Sequence, residues 1–351
     1  MGIALGLLAG LTLVILGADL LVRGAARAAA ALGVPPLLVG LTVVAYGTSA
    51  PELAVSVSAG LAGRPELAVA NVVGSNVFNV LAIVGLAALV APLAAPARIV
   101  RREVPLMLAA TVGAMLLGSD GLLGRAEGAV LLAGLAAVTW SQLRRPSSGP
   151  SETGDGRPTH PRRRALARDA AFVAAGLAAL ALGARWLVGA AAAGAVALGV
   201  SELVVGLTIV AAGTSVPELA TSVVAALRGE RDLAIGNVVG SNVFNLLGIL
   251  GVAALASPDG LLIAEQTRSL DAWVALAAAA VLLPMAWSGA AIVRWEGALL
   301  LVAYAGYLTL VVALAVGAMP LPGAGATAPL AALPVAIIAV AAVLAKRRSR
   351  P

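Results

Sequence analysis

The sequence predicts an all-α polytopic membrane protein, and three observations carry that reading: composition, the length of the apolar runs, and an internal repeat. Of 351 residues, 61% are hydrophobic and 11% charged. Soluble domains average about 45–50% apolar and roughly 25% charged. Mean hydropathy is +1.02. A water-soluble globular enzyme, a disordered chain and a nucleic-acid-binding domain are excluded on these figures. The absence of Cys rules out a disulfide framework and a thiolate metal site.

A bilayer core of about 30 Å needs about 20 apolar residues per helix. The runs predict eleven spans, near 2–22, 32–60, 67–93, 104–118, 127–143, 169–189, 198–226, 233–256, 270–288, 296–317 and 328–345. No Lys or Arg precedes Arg23, so the first run lacks the basic start of a signal peptide and is kept as a span. The second and seventh runs are long and carry Gly and Pro in mid-span, which predicts broken helices. The stretch 144–168 is rich in Pro, Ser, Gly and Arg and reads as a flexible cytoplasmic linker, too short to fold as a regulatory domain. The one His, His160, lies there as a solvated loop residue.

Basic residues set the orientation. With the N-terminus outside and the C-terminus inside, only Arg64, Arg125, Arg185 and Arg268 of the 23 Lys and Arg fall outside. The +6 net charge therefore reports topology, in a plasma (inner) membrane protein, rather than a nucleic-acid partner.

The segment from Gly40 to Val80 recurs from Gly206 to Leu246 at an offset of 166, with 28 of 41 positions identical. The match extends upstream, where Gly10, Gly17 and Gly33 pair with Gly176, Gly183 and Gly199. Downstream, Arg125–Gly128 resembles Arg294–Gly297 at an offset of 169. Each copy holds five spans, an odd number, so the second enters from the opposite side and the repeat is inverted. The predicted organisation is a first repeat at 1–143, the linker at 144–168, a second repeat at 169–317 and an added helix at 328–345. Substrate sites of such proteins lie near mid-membrane, at the repeat interface, on discontinuous helices.

Glu52 and Glu218 sit mid-span as repeat mates. An ionised side chain there costs at least about 2.5–3.5 kcal/mol on insertion scales, which marks function by default. Each closes a Gly-Thr-Ser-x-Pro-Glu segment: Gly47, Thr48, Ser49, Pro51, Glu52 and Gly213, Thr214, Ser215, Pro217, Glu218. Proline disturbs the hydrogen bond to the carbonyl four residues back. Those carbonyls belong to Gly47 and Gly213, where the chain can bend and backbone oxygen can turn toward an ion. The next span of each half carries a polar stripe, Asn71, Ser75 and Asn79, repeated as Asn237, Ser241 and Asn245. Ser75, Asn79 and their mates read as ion ligands. Asn71, Asn76 and their mates Asn237 and Asn242 read as interhelical hydrogen bonders, with close packing at Gly74 and Gly240.

The candidate ligands are all hard oxygen: carboxylate, hydroxyl, amide and backbone carbonyl. That favours Na+, Ca2+ or Mg2+ over Zn2+, copper or iron, and a dry, flexible oxygen cage suits Ca2+ better than Mg2+. Two carboxylates match the charge of one Ca2+ or of two Na+. Ions and the bilayer are the expected partners, with no cofactor and no catalytic residue.

The paired Gly-Thr-Ser-x-Pro-Glu and Gly-Ser-Asn-x-Phe-Asn segments resemble the two α-repeats of the sodium/calcium exchanger family, within the cation/Ca2+ exchanger superfamily, over roughly residues 10–317. The resemblance implies ten core helices and alternating access in which Na+ entry drives Ca2+ export. It places the ion ligands at Thr48, Ser49, Glu52, Ser75 and Asn79, and at Thr214, Ser215, Glu218, Ser241 and Asn245. Some members carry Asp where this chain has Asn79 or Asn245, so a third site carboxylate is missing. The large cytoplasmic loop of animal relatives is absent too, which implies a minimal prokaryotic type. The proton/calcium branch typically has Asn at the first Thr-Ser, which favours Na+ coupling. The rival readings are an H+/Ca2+ antiporter in which Glu52 or Glu218 carries the proton and, in another class, a passive cation channel.

Overall fold

The computed structural model describes residues 2–144, 163–287 and 291–320. Most of the predicted linker, with His160, and the eleventh span lie outside the described residues. Within them the chain is almost wholly helical. α1 spans Ile3–Leu32 and ends on Gly33 in the left-handed conformation (φ 65°). The second run is two pieces, α2 (Pro36–Thr48) and α3 (Ala50–Leu61), bent by 45°. α4 follows at Pro65–Val90, then α5 at Val104–Leu117 and α6 at Arg125–Leu143. The second half repeats the order. α7 is Arg163–Ala197, and α8 (Glu202–Gly213) and α9 (Val216–Leu227) are bent by 48°. α10 is Arg231–Ala256, α11 is Ala272–Trp287 and α12 is Arg294–Ala315.

Six of these helices are long and apolar enough to cross a membrane, eight counting each bent pair as one span. The breaks at the second and seventh runs are as the Gly/Pro pattern predicts. α1 and α7 run well past the predicted spans, and α1 carries Arg23 and Arg27 within the helix.

One departure from an all-α reading is small. Four two-residue strands, β1 (Leu93–Ala94), β2 (Leu122–Leu123), β3 (Leu261–Leu262) and β4 (Ala291–Ile292), pair antiparallel as β1 with β4 and β2 with β3. Each pair joins one half to the other. Short extended turns at helix ends satisfy backbone groups that the helices leave unpaired.

Small residues set the packing, as expected where lipid is as apolar as the helices themselves. α1 lies along α7 with almost no side chain between them. A Cβ on Gly17 would meet Leu180 N at 2.8 Å, and one on Gly24 would meet Asp169 O at 2.9 Å. One on Gly183 would meet Val14 N at 2.8 Å. Rising numbers on α1 meet falling numbers on α7, so these two repeat mates run antiparallel. Mates also pack alike elsewhere: Gly85 of α4 backs onto Gly297 of α12, and Gly251 of α10 onto Gly128 of α6. A Cβ on Gly176 would meet Leu21 N at 2.6 Å. Gly176→Leu is therefore expected to part α1 from α7 and destabilise the fold by about 1–3 kcal/mol, read by thermal unfolding in detergent.

α4 and α10 form the centre. Their most apolar windows are 78% and 83% buried, against 22% for α7 and 6% for α12. The polar stripes therefore lie on the two most buried of the six long helices, which is where polar side chains in a membrane belong.

The two halves are not packed alike. α2 is shut against α10: a Cβ on Gly40 would meet Leu233 O at 2.7 Å, and one on Gly240 would meet Leu41 Cα at 2.7 Å. The mates Gly206 and Gly74 meet nothing within 4 Å. Leu37 is 5% exposed and its mate Leu203 52%. The close packing expected at both Gly74 and Gly240 is thus present only at Gly240. One sequence pattern serves two arrangements, with α8 parted from α4.

Candidate functional site

The breaks in the two bent helices fall at Ser49 (φ −81°, ψ 9°) and Ser215 (φ −89°, ψ 8°). These lie two residues beyond the glycines where the chain is able to bend. Pro51 and Pro217 occupy the second position of α3 and α9, where a missing N–H is not needed by the helix. Gly47 and Gly213 instead allow close approach: a Cβ there would meet Leu177 Cδ1 at 2.7 Å and Val188 Cγ1 at 2.6 Å, both on α7.

Glu52 and Glu218 stand in the first turns of α3 and α9, at helix N-termini that favour negative charge. They are 1% and 0% exposed, and no ion pair reaches either among the described residues. Each carboxylate is held by the opposite half. Ser49 Oγ donates to Glu218 Oε1 at 2.7 Å, and Ser215 Oγ donates to Glu52 Oε1 at 2.7 Å. The sequence places these serines beside their own glutamate; only the fold crosses them over.

Asn71 Nδ2 donates to Glu52 O at 3.3 Å and to Ser56 Oγ at 2.9 Å. Asn237 Nδ2 donates in the same way to Glu218 O at 3.4 Å and Ser222 Oγ at 2.9 Å. These bonds brace each broken helix against its central neighbour, the interhelical role expected for this pair. Asn79 and Asn245 each open a π-helical turn, Asn79–Val84 and Asn245–Ile249. Such turns, common at functional sites, re-aim the side chains that follow.

Among the described residues a set of buried oxygens has no hydrogen-bond partner: Glu52 Oε2, Glu218 Oε2, Asn79 Oδ1, Asn245 Oδ1, Ser75 Oγ and Thr214 Oγ1. Buried polar atoms are nearly always paired, because leaving one bare costs about 1–3 kcal/mol. Here six bare oxygens come from the predicted residues alone. The remaining two hydroxyls are engaged, Thr48 Oγ1 with Ala45 O (3.3 Å) and Asn237 Oδ1 (3.2 Å), and Ser241 Oγ with Ala45 O (3.4 Å). The pattern follows the packing. Thr48 and Ser241 belong to the shut side of α2 and α10, whereas Thr214 and Ser75 belong to the parted side of α8 and α4.

Sequence reasoning missed two kinds of residue. Ser56 and Ser222 are identical mates in both copies, a signal that was there to be read. Met107 is one of many apolar residues of α5; its sulfur accepts from Asn242 Nδ2 at 3.3 Å, and nothing in the sequence marks it.

A helical polytopic chain with broken helices in matching positions has the architecture of a membrane antiporter of the exchanger class. The chain belongs to the sodium/calcium exchanger protein family, whose model matches residues 2–144 and 169–313. It is 41% identical over 259 residues to the inner membrane protein YrbG of Escherichia coli, covering 72% of this chain and 79% of that one. It is 32% identical over 339 residues to the sodium/calcium exchanger MaX1 of Methanosarcina acetivorans, covering 86% and 96%. Its fold matches a solved structure of the sodium-calcium exchanger NCX_Mj with a TM-score of 0.75 at 29% identity, covering 89% of this chain and 99% of that one.

Proposed function

We propose that this protein exchanges Na+ for Ca2+ across the membrane by alternating access at a site built around Glu52 and Glu218. The observation that carries the reading is the set of six bare, buried oxygens at the crossing of the two broken helices. Hard oxygen ligands, two of them carboxylate, suit Ca2+ and Na+. The cage would comprise Glu52, Glu218, Ser75, Ser241, Asn79 and Asn245, with hydroxyls or carbonyls of Gly47, Thr48, Ser49, Gly213, Thr214 and Ser215 completing flanking Na+ positions. Ca2+ and Na+ are the transported ions, and the reading includes no cofactor.

Two carboxylates confined together repel while both are ionised. One Ca2+, or a pair of Na+, offsets that repulsion, so the two loads compete for one cage. An empty cage keeps two uncompensated carboxylates in a low-dielectric interior, which disfavours return without a load. That coupling is what exchange requires.

The antiparallel run of α1 along α7 supports an inverted repeat of two five-span halves, ten core spans in all. The unequal packing supports alternation. With the N-terminus outside, as the distribution of basic residues favours, α8 begins on the outer side. The parted side would then open outward and the shut side would seal the interior.

The chain has no Cys, so single cysteines report access directly. Leu203→Cys is expected to react with a membrane-impermeant maleimide added outside, while Leu37→Cys stays protected from the same reagent added inside. The reverse pattern would assign the opposite state or orientation.

The functional test is Ca2+ uptake into proteoliposomes loaded with Na+ or with choline at one pH. Uptake that needs the outward Na+ gradient is the expected result. Uptake indifferent to Na+ but driven by a pH gradient would move the protein to H+ coupling. Flux that persists without any counter-ion would indicate a channel.

A further inference from the structure

An asparagine amide has two ends of nearly equal shape and opposite polarity, one accepting and one donating. A cation cage needs the oxygen end. Turned over, Asn79 or Asn245 would aim N–H donors at the ion. Something in the fold must therefore set the direction of each amide, and this question rests on the exchanger reading above.

The four asparagines of the central helices meet across the two halves. Asn79 Nδ2 donates to Asn242 Oδ1 at 3.0 Å, and Asn245 Nδ2 donates to Asn76 Oδ1 at 3.0 Å. These bonds alone do not fix polarity, because reversing both partners would preserve each one. The outer ends do. Asn242 Nδ2 faces the sulfur of Met107 at 3.3 Å, and a thioether can only accept. Asn76 Nδ2 faces the backbone carbonyl of Asn242 at 3.2 Å, which also only accepts. The amide nitrogens must sit at those outer ends. The amide oxygens of Asn242 and Asn76 then face inward, so Asn79 and Asn245 must present nitrogen to them.

The result is the one the cage needs: Oδ1 of both Asn79 and Asn245 is buried and bare. Asn76, Asn79, Asn242, Asn245 and Met107 are all within 4% of full burial, so no bulk water stands by to substitute for a wrong end. Reversal would set acceptor against acceptor at both Met107 and the Asn242 carbonyl.

We infer that Asn76, Asn242 and Met107 are positioning residues that fix which end of Asn79 and Asn245 faces the ion. They touch no ion themselves. Each relay crosses to the other half and returns: Asn79 is set through Asn242 by Met107 of its own half, and Asn245 through Asn76 by the Asn242 carbonyl of its own half. Near identity of the two copies does not extend to the anchors, one a side-chain sulfur and the other a backbone carbonyl.

Aspartate separates this role from a merely structural one, because a carboxylate presents oxygen at either end and needs no orientation. The test is a double-mutant cycle on the purified full-length protein, with Ca2+ affinity read by calorimetry and folding by thermal unfolding in chelator. Asn242→Ala is expected to weaken Ca2+ binding about tenfold, the size of one charge-assisted contact. In an Asn79→Asp background the same change should cost nothing further. Met107→Leu, close in volume and unable to accept, should weaken binding in the wild-type background and not in Asn79→Asp. Equal losses in both backgrounds, or no loss in either, overturn the inference. Should Asn242→Ala unfold, the mirror cycle of Asn76→Ala with Asn245→Asp and the milder Met107→Leu decide the matter. If the wild-type protein binds no Ca2+, the exchanger reading falls and takes this inference with it. Binding in the wild type with losses equal in both backgrounds removes the inference alone.

Discussion

Glu52→Gln and, separately, Glu218→Gln are expected to abolish Na+-driven Ca2+ uptake, lowering the rate at least about a hundredfold. Each change removes one of two carboxylates whose outer oxygen is buried and unpaired, and losing one partner of a buried charged contact costs about 3–5 kcal/mol. Several such units of energy amount to more than two decades in affinity. The fold should survive. Glutamine keeps an oxygen acceptor for the serine of the opposite half, and it removes a charge that the unloaded protein must otherwise hold without a cation. Thermal unfolding in chelator is therefore expected to stay unchanged or rise for both variants, while the stabilisation added by Ca2+ disappears. Uptake at the wild-type rate in either variant would remove that glutamate from the site. A large fall in unfolding temperature without Ca2+ would show that the carboxylate holds the fold instead.

Gly74→Leu and Gly240→Leu are expected to separate packing from motion. They are repeat mates in the same motif, yet they face different surroundings. A Cβ on Gly240 would lie 2.7 Å from Leu41 Cα and 2.8 Å from Ala45 Cβ, whereas one on Gly74 would touch nothing within 4 Å. Gly240→Leu should wedge α2 from α10 and destabilise this conformation by about 1–3 kcal/mol, the usual cost of overpacking. Gly74→Leu should leave the unfolding temperature near wild type. If transport proceeds by exchanging the two packings, however, α8 must close on α4 as α2 now closes on α10, and the added side chain would stand in the way. The expected result is Ca2+ binding retained with exchange reduced at least about tenfold, one and a half kcal/mol of obstruction being enough. Normal exchange in Gly74→Leu would argue that the two sides never trade arrangements.

Much of this was legible in the chain. The mid-span Gly and Pro pointed to the two broken helices, although the breaks fall at Ser49 and Ser215, with each proline at the second position of the helix that follows. The duplicated motif located the candidate site because polar and ionisable residues in a membrane span are costly unless used. Six of the buried oxygens left bare belong to residues that pattern singled out, while those of Gln142, Thr221 and Ser257 lie outside it. The missed pieces were of another kind. The π-helical turns at Asn79 and Asn245 carry no mark in the sequence, because a helical repeat looks the same with or without them. Met107 is one more apolar residue among many until Asn242 is placed against its sulfur.

By itself, then, the sequence determined the membrane class, the duplication, the two glutamates and the oxygen chemistry around them, because hydropathy, helix breaking and charge burial are local properties of residue type. Tertiary structure alone decided three further things. It crossed the serines, so that each half holds the other half's carboxylate. It shut α2 on α10 while parting α8 from α4, although the two segments are nearly the same string of residues. It also set the direction of each amide through Met107 and a backbone carbonyl. All three depend on which surfaces meet, and one sequence repeated twice can meet its partner in two ways when neither packing is much more stable than the other.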